Sequence, residues 1–447
     1  MKTGLGWAIL LFTVLYALLK NPRWALFGMV ACDNIRPGDE YIEFGMETVR
    51  FSITYYMVGL AIFLAGYRKY RLTSDRFHWA ILFMFLSVVN SALHAPCWGP
   101  AYTQIDNYFK MLLQYYLIAA FIRNEGQLRE LNWTMGLSMV VVGIRYCYGK
   151  FLLGEHRFEG ATGDRNEMAM AMVMAWPLLF MLGLTTKVMW KRTIAWVSLA
   201  PLMLSIVFCL SRGGMLGLIA VVGYVLYRLH HKRWLWVVGI CGGLIGLANL
   251  PSTVTARFMS IGSAAKKDAS AIGRLNAWGA ARAMVRDRPL WGVGSGNFLV
   301  YFRRYAPDPN DVHVAHSSFY QLMGEQGLPG LLVWLYLVLM TWTVASWCEM
   351  RIIRIEKGKW SETRYMLVAL KASWIGYVFC GAFLSQEDMD FFYHLVAITS
   401  RYTVFVREKE LAFVAQQRAL AAGERTTQPV PTTPPSAMSL SQYPGRR

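Results

Sequence analysis

TIAWVSLAPLMLSIVFCLSRGGMLGLIAVVGYVLYR, residues 193–228, is the stretch that decides the fold class. Two apolar runs, 193–211 and 213–228, meet with almost no loop between them. Each is long enough to cross a hydrocarbon core of ~30 Å as a helix. The polar punctuation between them is Ser211-Arg212-Gly213-Gly214. Similar runs recur at 5–20, 24–38, 46–66, 77–94, 105–123, 133–152, 166–185, 234–250, 327–346 and 364–385, with a weaker one at 391–405. The whole chain of 447 residues is 55% hydrophobic with a mean hydropathy of +0.33. Lipid offers backbone groups no hydrogen-bond partners, so such runs must close their bonds internally as helices. We therefore expect an all-α polytopic membrane protein of about 12 transmembrane helices.

The charge pattern orients that bundle. The net charge is +18, which in a soluble protein would suggest nucleic acid. Here the excess lies largely in short loops: Arg68-Lys69-Tyr70-Arg71, Lys187 to Arg192, His230-His231-Lys232-Arg233 and Arg351 to Lys359. Placing all four in the cytoplasm satisfies the inside-positive rule, so membrane lipids and not nucleic acid are the expected partners. The same topology puts the long polar stretch Pro251 to Gln326 outside, as a large, partly helical periplasmic loop. Its nine Lys/Arg against five Asp/Glu do not conflict, because long loops are largely exempt from the rule. Lys20 and Arg23 fit a cytoplasmic turn between the first two spans. A re-entrant 24–38 segment fits equally, and the orientation of the N-terminus stays open. Leu5 to Lys20 lacks a small-residue cleavage site and reads as a span. The chain then divides into helices one to ten (1–250), the loop (251–326), C-terminal helices (327–405) and a basic tail (406–447), which is rich in Pro, Thr and Ser beyond about Arg418 and expected to be disordered. Seven cysteines contain no C-x-x-C pair, and neither a metal site nor a disulfide framework is inferred.

Within the loop, Ile272, Leu275, Trp278, Ala281 and Val285 recur at helical spacing and predict a helix over Ala271 to Val285. Gly279 weakens that prediction. A second helix is expected from near His316 to Gly324, before Glu325-Gln326-Gly327-Leu328-Pro329-Gly330 turns the chain into the next span. Gly292-Val293-Gly294-Ser295-Gly296-Asn297 is glycine-rich, but it follows no strand and lacks the Lys-Ser/Thr of a phosphate loop. It reads as a tight turn.

Six positions are candidates for chemistry. Arg212 sits at the outer surface between two spans, where a guanidinium either snorkels to headgroups or offers a fork to phosphate. Arg274 opens the loop helix; alone it is a solvated residue, but beside a second arginine it becomes half of a diphosphate clamp. His316 lies at a helix start, whose dipole disfavours the imidazolium, so a neutral ring could accept a proton from a hydroxyl. A buried structural histidine is the plain alternative, and His313 is the second choice. Arg165 and Lys110 are secondary substrate-binding candidates, Lys110 because a charge inside a span marks a cavity or a partner. Asp164, Asn166, Glu167, Gln386, Glu387, Asp388 and Asp390 add polar groups on the same face.

Leu210-Ser211-Arg212-Gly213-Gly214, the segment Gly273-Arg274 through Arg288-Pro289-Leu290-Trp291-Gly292-Val293-Gly294-Ser295-Gly296-Asn297-Phe298, and His316-Ser317-Ser318-Phe319-Tyr320-Gln321 through Gly330 resemble, in this order, the O-antigen ligase and O-antigen polymerase superfamily of bacterial membrane glycosyltransferases. Gly163-Asp164-Arg165-Asn166-Glu167-Met168-Ala169 and Ala315-His316-Ser317 resemble its exosortase-associated O-glycosylation ligases. The Gly213-Gly214 run after the arginine departs from the pattern. The resemblance implies a GT-C-like fold in the bacterial inner membrane with a periplasmic active site. It implies transfer of a glycan from an undecaprenyl-diphosphate carrier to a glycan, lipid or protein acceptor, without metal, nucleotide or other cofactor. Two arginines and a histidine essential to the ligases fall on Arg212, Arg274 and His316. A polymerase that extends carrier-linked units would use the same groups. A flippase for lipid-linked sugar would instead be expected to carry its charges at mid-membrane in paired broken helices.

Overall fold

The computed structural model describes residues 2–36, 51–66, 75–154, 164–248 and 269–421, and every element among them is a helix. The basic loop at Arg68–Arg71, Gly163, the first part of the long loop and the tail beyond 421 lie outside the described residues. The helices are α1 (Lys2–Leu19), α2 (Arg23–Ile35), α3 (Phe51–Ala65), α4 (Arg76–Leu93), α5 (Trp98–Phe121), α6 (Glu125–Phe151), α7 (Arg165–Thr185), α8 (Met189–Phe208), α9 (Arg212–Arg228), α10 (Arg233–Ala248), α11 (Ala269–Asp287), α12 (Phe298–Tyr305), α13 (Ser318–Ile355), α14 (Glu362–Gly381) and α15 (Asp390–Ala421).

Four of these, α4, α7, α8 and α13, are long and apolar enough to cross a membrane, and shorter apolar helices lie at Ala8–Leu19 and Phe51–Ala65. The chain is an all-helical membrane protein. α7 is apolar on every side, and 89% of its apolar window is buried, against 28% for α8. A helix without a polar face belongs at the centre, and α7 packs against α6, α8, α9 and α14 there. α8 instead turns Ile194, Val197 and Leu204 outward, as a helix bathed in lipid would.

Local chemistry sets most helix ends. Asp75, Asn124, Asp164, Ser211 and Ser361 cap α4, α6, α7, α9 and α14 with side-chain oxygens that accept backbone N–H groups, relieving donors that have no intrahelical partner. The expected helix from near His316 to Gly324 and the span after it are present within Ser318–Ile355, separated where Gly327 leaves helical geometry at φ 68°. Two expectations need correction. The segment 24–38 stops at Ile35, because Arg36 adopts a left-handed conformation with φ 48°. Residues 406–421, assigned to the tail, continue the weak stretch at 391–405 as the helix Asp390–Ala421. Ion pairs Arg351–Glu410 at 2.5 Å and Lys409–Glu125 at 2.8 Å hold this extension against α13 and α6. Those partners lie 59 and 284 residues away, beyond what a local apolar pattern can report.

The far end of α13 is anchored by a buried ion cluster. Glu349, 2% exposed, pairs with Lys371 of α14 at 2.5 Å, with Arg228 of α9, and lies 3.8 Å from Arg364. Breaking a buried pair leaves an uncompensated charge at a cost of about 3–5 kcal/mol. Glu349→Gln is therefore expected to lower the unfolding temperature in detergent and the membrane yield, measured by fluorescence-detected size exclusion after heating. Exposed Lys191→Gln should leave both unchanged.

Candidate active site

The long loop is built on α11, which carries Arg274, Asn276 and Trp278 within its first three turns. Asn276 is buried and works in both directions. Its amide nitrogen donates to the carbonyls of Asp308 (2.8 Å) and Asp311 (3.1 Å), and its oxygen accepts the Asp308 N–H (2.9 Å). This fixes the strand of loop that leads to His316. Gly279 has a reason to be in the helix: a Cβ there would lie 2.7 Å from the Pro307 ring. The Trp278 indole N–H donates to the Ala315 carbonyl at 2.9 Å, and its ring stacks on Tyr320 of α13 with centroids 4.8 Å apart.

The glycine-rich segment 292–297 is a turn, as expected. Gly292, Gly294 and Gly296 hold φ of 64°, 104° and 73°, a region other residues rarely occupy. The turn does offer N–H groups to an acid, but the acid is the protein's own, a glutamate whose pKa burial pushes up to about 7 against the hydrogen bonds that lower it. Glu325 accepts from Gly296 N–H at 2.8 Å and from Phe298 N–H at 3.3 Å. Val293 and Gly294 N–H groups donate to the carbonyls of Gly324 and Glu325 at 2.9 and 3.0 Å. Asn297 is bonded in both directions to Cys97 before α5 at 3.1 Å, and Ser91 of α4 donates to the Glu325 carbonyl at 2.7 Å. The loop is thereby stitched to the bundle.

His316 follows at the mouth of α13, half-buried, with φ 44°. Positive φ in a residue with a Cβ is strained and persists only where its surroundings impose it. Its pKa is lowered from 6.5, first by burial and then by the charge of Arg274; Asp164 opposes the shift and His313 adds slightly to it. The helix-dipole cause read from sequence is not the leading one. Burial and the charge of the Arg274 guanidinium both favour the neutral ring.

Arg212 is the first residue of α9, behind the Ser211 cap, where a cation opposes the helix dipole. The start of α9 meets the end of α14: Cys380 Sγ contacts the Gly213 carbonyl at 3.5 Å. The start of α13 meets the same turn, with Ser318 Oγ donating to the Leu384 carbonyl and accepting from Gln386 N–H, both at 2.9 Å. The Gln386 amide also donates to Glu167 at the start of α7. The turn 382–389 is thus a hub for the N-termini of α7, α9 and α13, with Arg212 and His316 on its flanks.

The other candidates divide. His313 packs over Gly273, adjacent to Arg274, and bonds Asp311 at 2.7 Å. Arg165 starts α7, and its charge acts on Tyr146 and Cys209, toward α6 and α8. Lys110 pairs with Asp106 one turn earlier at 2.5 Å and acts on Asp33 and Asp390, a different set of groups from those around Arg274 and His316. Sequence reasoning attached no role to Trp278, Gln321 or Glu325. The available signal was a carboxylate at 325 close to a turn of three glycines.

The electrostatics make a prediction. In Arg274→Gln the charge of that guanidinium is gone, and burial with the smaller influence of His313 still disfavours the imidazolium. The His316 ring should titrate at higher pH than in the native protein while staying below 6.5, measured by NMR of ring-labelled histidine. An unchanged or lower titration point would contradict the geometry.

Residues 194–335 match a family model described as O-Antigen ligase. No curated protein matches the chain. The matched segment contains Arg212, Arg274, His313 and His316 and excludes Lys110 and Arg165. Over residues 194–335, under half of its length, the chain is similar to the O-antigen ligase family.

Proposed function

We propose that this protein transfers a glycan from an undecaprenyl-diphosphate carrier to an acceptor hydroxyl, on the periplasmic face of a bacterial inner membrane crossed by about 12 helices. One arrangement supports the reading: a half-buried histidine held at φ 44°, whose neutral form is favoured by burial and by the charge of Arg274, with a second arginine at the helix start across the same hub. A base and a charge clamp are what glycosyl transfer from a diphosphate requires.

The acceptor oxygen attacks the anomeric carbon as the bond from that carbon to the diphosphate oxygen breaks. The acceptor proton passes to His316, and the carrier diphosphate leaves with the bonding pair. Direct displacement inverts the anomeric carbon and needs no covalent intermediate. Arg212 and Arg274 stabilise the charge that grows on the leaving oxygens; a preorganised donor of this kind contributes on the order of 10²–10³-fold. A positioned base contributes about 10²–10⁴-fold. The carrier's polyprenyl tail would lie between helices, with its headgroup at the hub.

Arg212→Ala, Arg274→Ala and His316→Ala should each abolish transfer while the protein still inserts at normal levels. Arg212→Lys should fail too, because an ammonium cannot form a bidentate fork. The check is gel analysis of carrier-linked and surface-linked glycan in a knockout strain bearing each variant. Accumulated long carrier-linked chains identify a ligase, loss of the ladder identifies a polymerase, and normal glycan from all three alanine variants refutes the enzyme reading.

A further inference from the structure

We propose that Trp278, Gln321 and Glu325 are positioning residues that clamp the Ala315–His316 peptide and thereby hold the His316 ring beside Arg274. The inference rests on the reading of His316 as the proton acceptor.

The clamp has two jaws. On one side the Trp278 indole donates to the Ala315 carbonyl at 2.9 Å. That carbonyl shares a peptide plane with the His316 N–H, so fixing it fixes the plane about which His316 φ is measured. On the other side the Ala315 N–H donates to Gln321 Oε1 at 3.2 Å. Ala315 is fully buried, so both of its backbone groups need these partners. Downstream, Ser318 is pinned to Leu384 and Gln386. His316 is held between fixed points on both sides, the condition under which a φ of 44° persists in a residue with a Cβ.

Glu325 decides which way Gln321 faces. An amide can point its oxygen or its nitrogen at a neighbour, and the network chooses. The Glu325 carboxylate receives two backbone N–H groups from the glycine turn and the Gln321 Nε2–H at 2.7 Å. With the nitrogen committed there, Gln321 Oε1 is left for Ala315 N–H and for the Ser385 hydroxyl at 3.2 Å. The other jaw is tied to the clamp for the diphosphate: Trp278 lies four residues after Arg274 on α11, on the same helix face. Movement of α11 therefore moves Arg274 and the His316 peptide together. This machinery comes from the three elements that meet at His316: α11, the glycine turn and the first turn of α13.

The test uses the full chain in detergent for spectroscopy and in knockout cells for glycan transfer. Trp278→Phe keeps the ring that stacks on Tyr320 and removes the N–H; Gln321→Leu removes the acceptor. Both should cut transfer about tenfold at unchanged protein level. In histidine-ring NMR, the His316 titration should move up toward 6.5 as the ring leaves Arg274, while the other seven of the eight histidines hold their places. The reciprocal pair Gln321→Glu with Glu325→Gln restores a carboxylate facing an amide and should recover His316's native titration better than either single change. A native His316 titration in Trp278→Phe and Gln321→Leu, a shift shared by all histidines, or a double variant no better than its parents would overturn the proposal. His316→Ala separates the two readings. If it retains transfer, the proton-acceptor role falls; if it is inactive while Trp278→Phe and Gln321→Leu transfer normally, the clamp alone falls.

Discussion

A carboxylate surrounded by donors does most to join the two halves of this molecule. Glu325 sits at the end of the first short arm of α13, 5% exposed, and takes N–H groups from Gly296, Phe298 and Gln321. A buried carboxylate without partners would cost several kcal/mol, and an orphaned backbone N–H about 1–3 kcal/mol. Neither the turn nor the acid is tolerable alone in a site shielded from water; together they satisfy each other. The three positive φ values in the turn follow from this constraint, since the chain must curl tightly enough to aim successive N–H groups at one side chain. The Gly324 and Glu325 carbonyls complete the joint by accepting from Val293, Gly294 and Ser91. Everything in the loop that bears on His316 is referenced to that junction.

How much of this was legible in the sequence depends on the range of the interaction responsible. The apolar helices were legible because each records its environment in its own composition, and α7, buried on all sides, is apolar on all sides. The α11 helix was legible from its spacing, although Gly279 argued against it until Pro307 accounted for the missing side chain. The extension of α15 was not, because its charges are balanced by Glu125 and Arg351 and look like solvated residues when read in isolation. Lys110 shows a shorter range: a charge within an apolar run was read as marking a cavity or a partner, and it pairs with Asp106, one helical turn away.

The site shows the same division more sharply. That Arg274 and His316 act on each other could be guessed from motif resemblance, but no spacing rule brings residues so far apart into one charge environment. The contact depends on the Trp278–Ala315 hydrogen bond and on the Asn276 brackets around Asp308 and Asp311. Each of these is made by a side chain whose type is unremarkable in a helix. The neutrality of His316 was anticipated for the wrong leading reason. A helix dipole acts over about one turn and is modest, whereas burial together with a neighbouring guanidinium opposes the imidazolium directly.

The arrangement of helix ends gives the site its electrostatic character before any substrate arrives. α7, α9 and α13 all begin against the end of α14 and the turn 382–389, so three positive dipole ends converge there. Arg212 adds a full charge to one of them. In an aqueous setting such a concentration of positive potential would be screened within about 10 Å. At a membrane boundary, with apolar helices below, screening is weaker and the cost of holding the potential is met by the packed bundle. The carboxylates nearby temper that potential: Glu167 accepts from Gln386, and Asp164 acts on His316 against Arg274. Stability given up at this end of the bundle is offset at the other, where Glu349 draws α9, α13 and α14 together through Arg228 and Lys371. The long helix α13 thus spans from a strained, cation-rich mouth to an ion-paired anchor, and its bend at Gly327 marks where the first role gives way to the second.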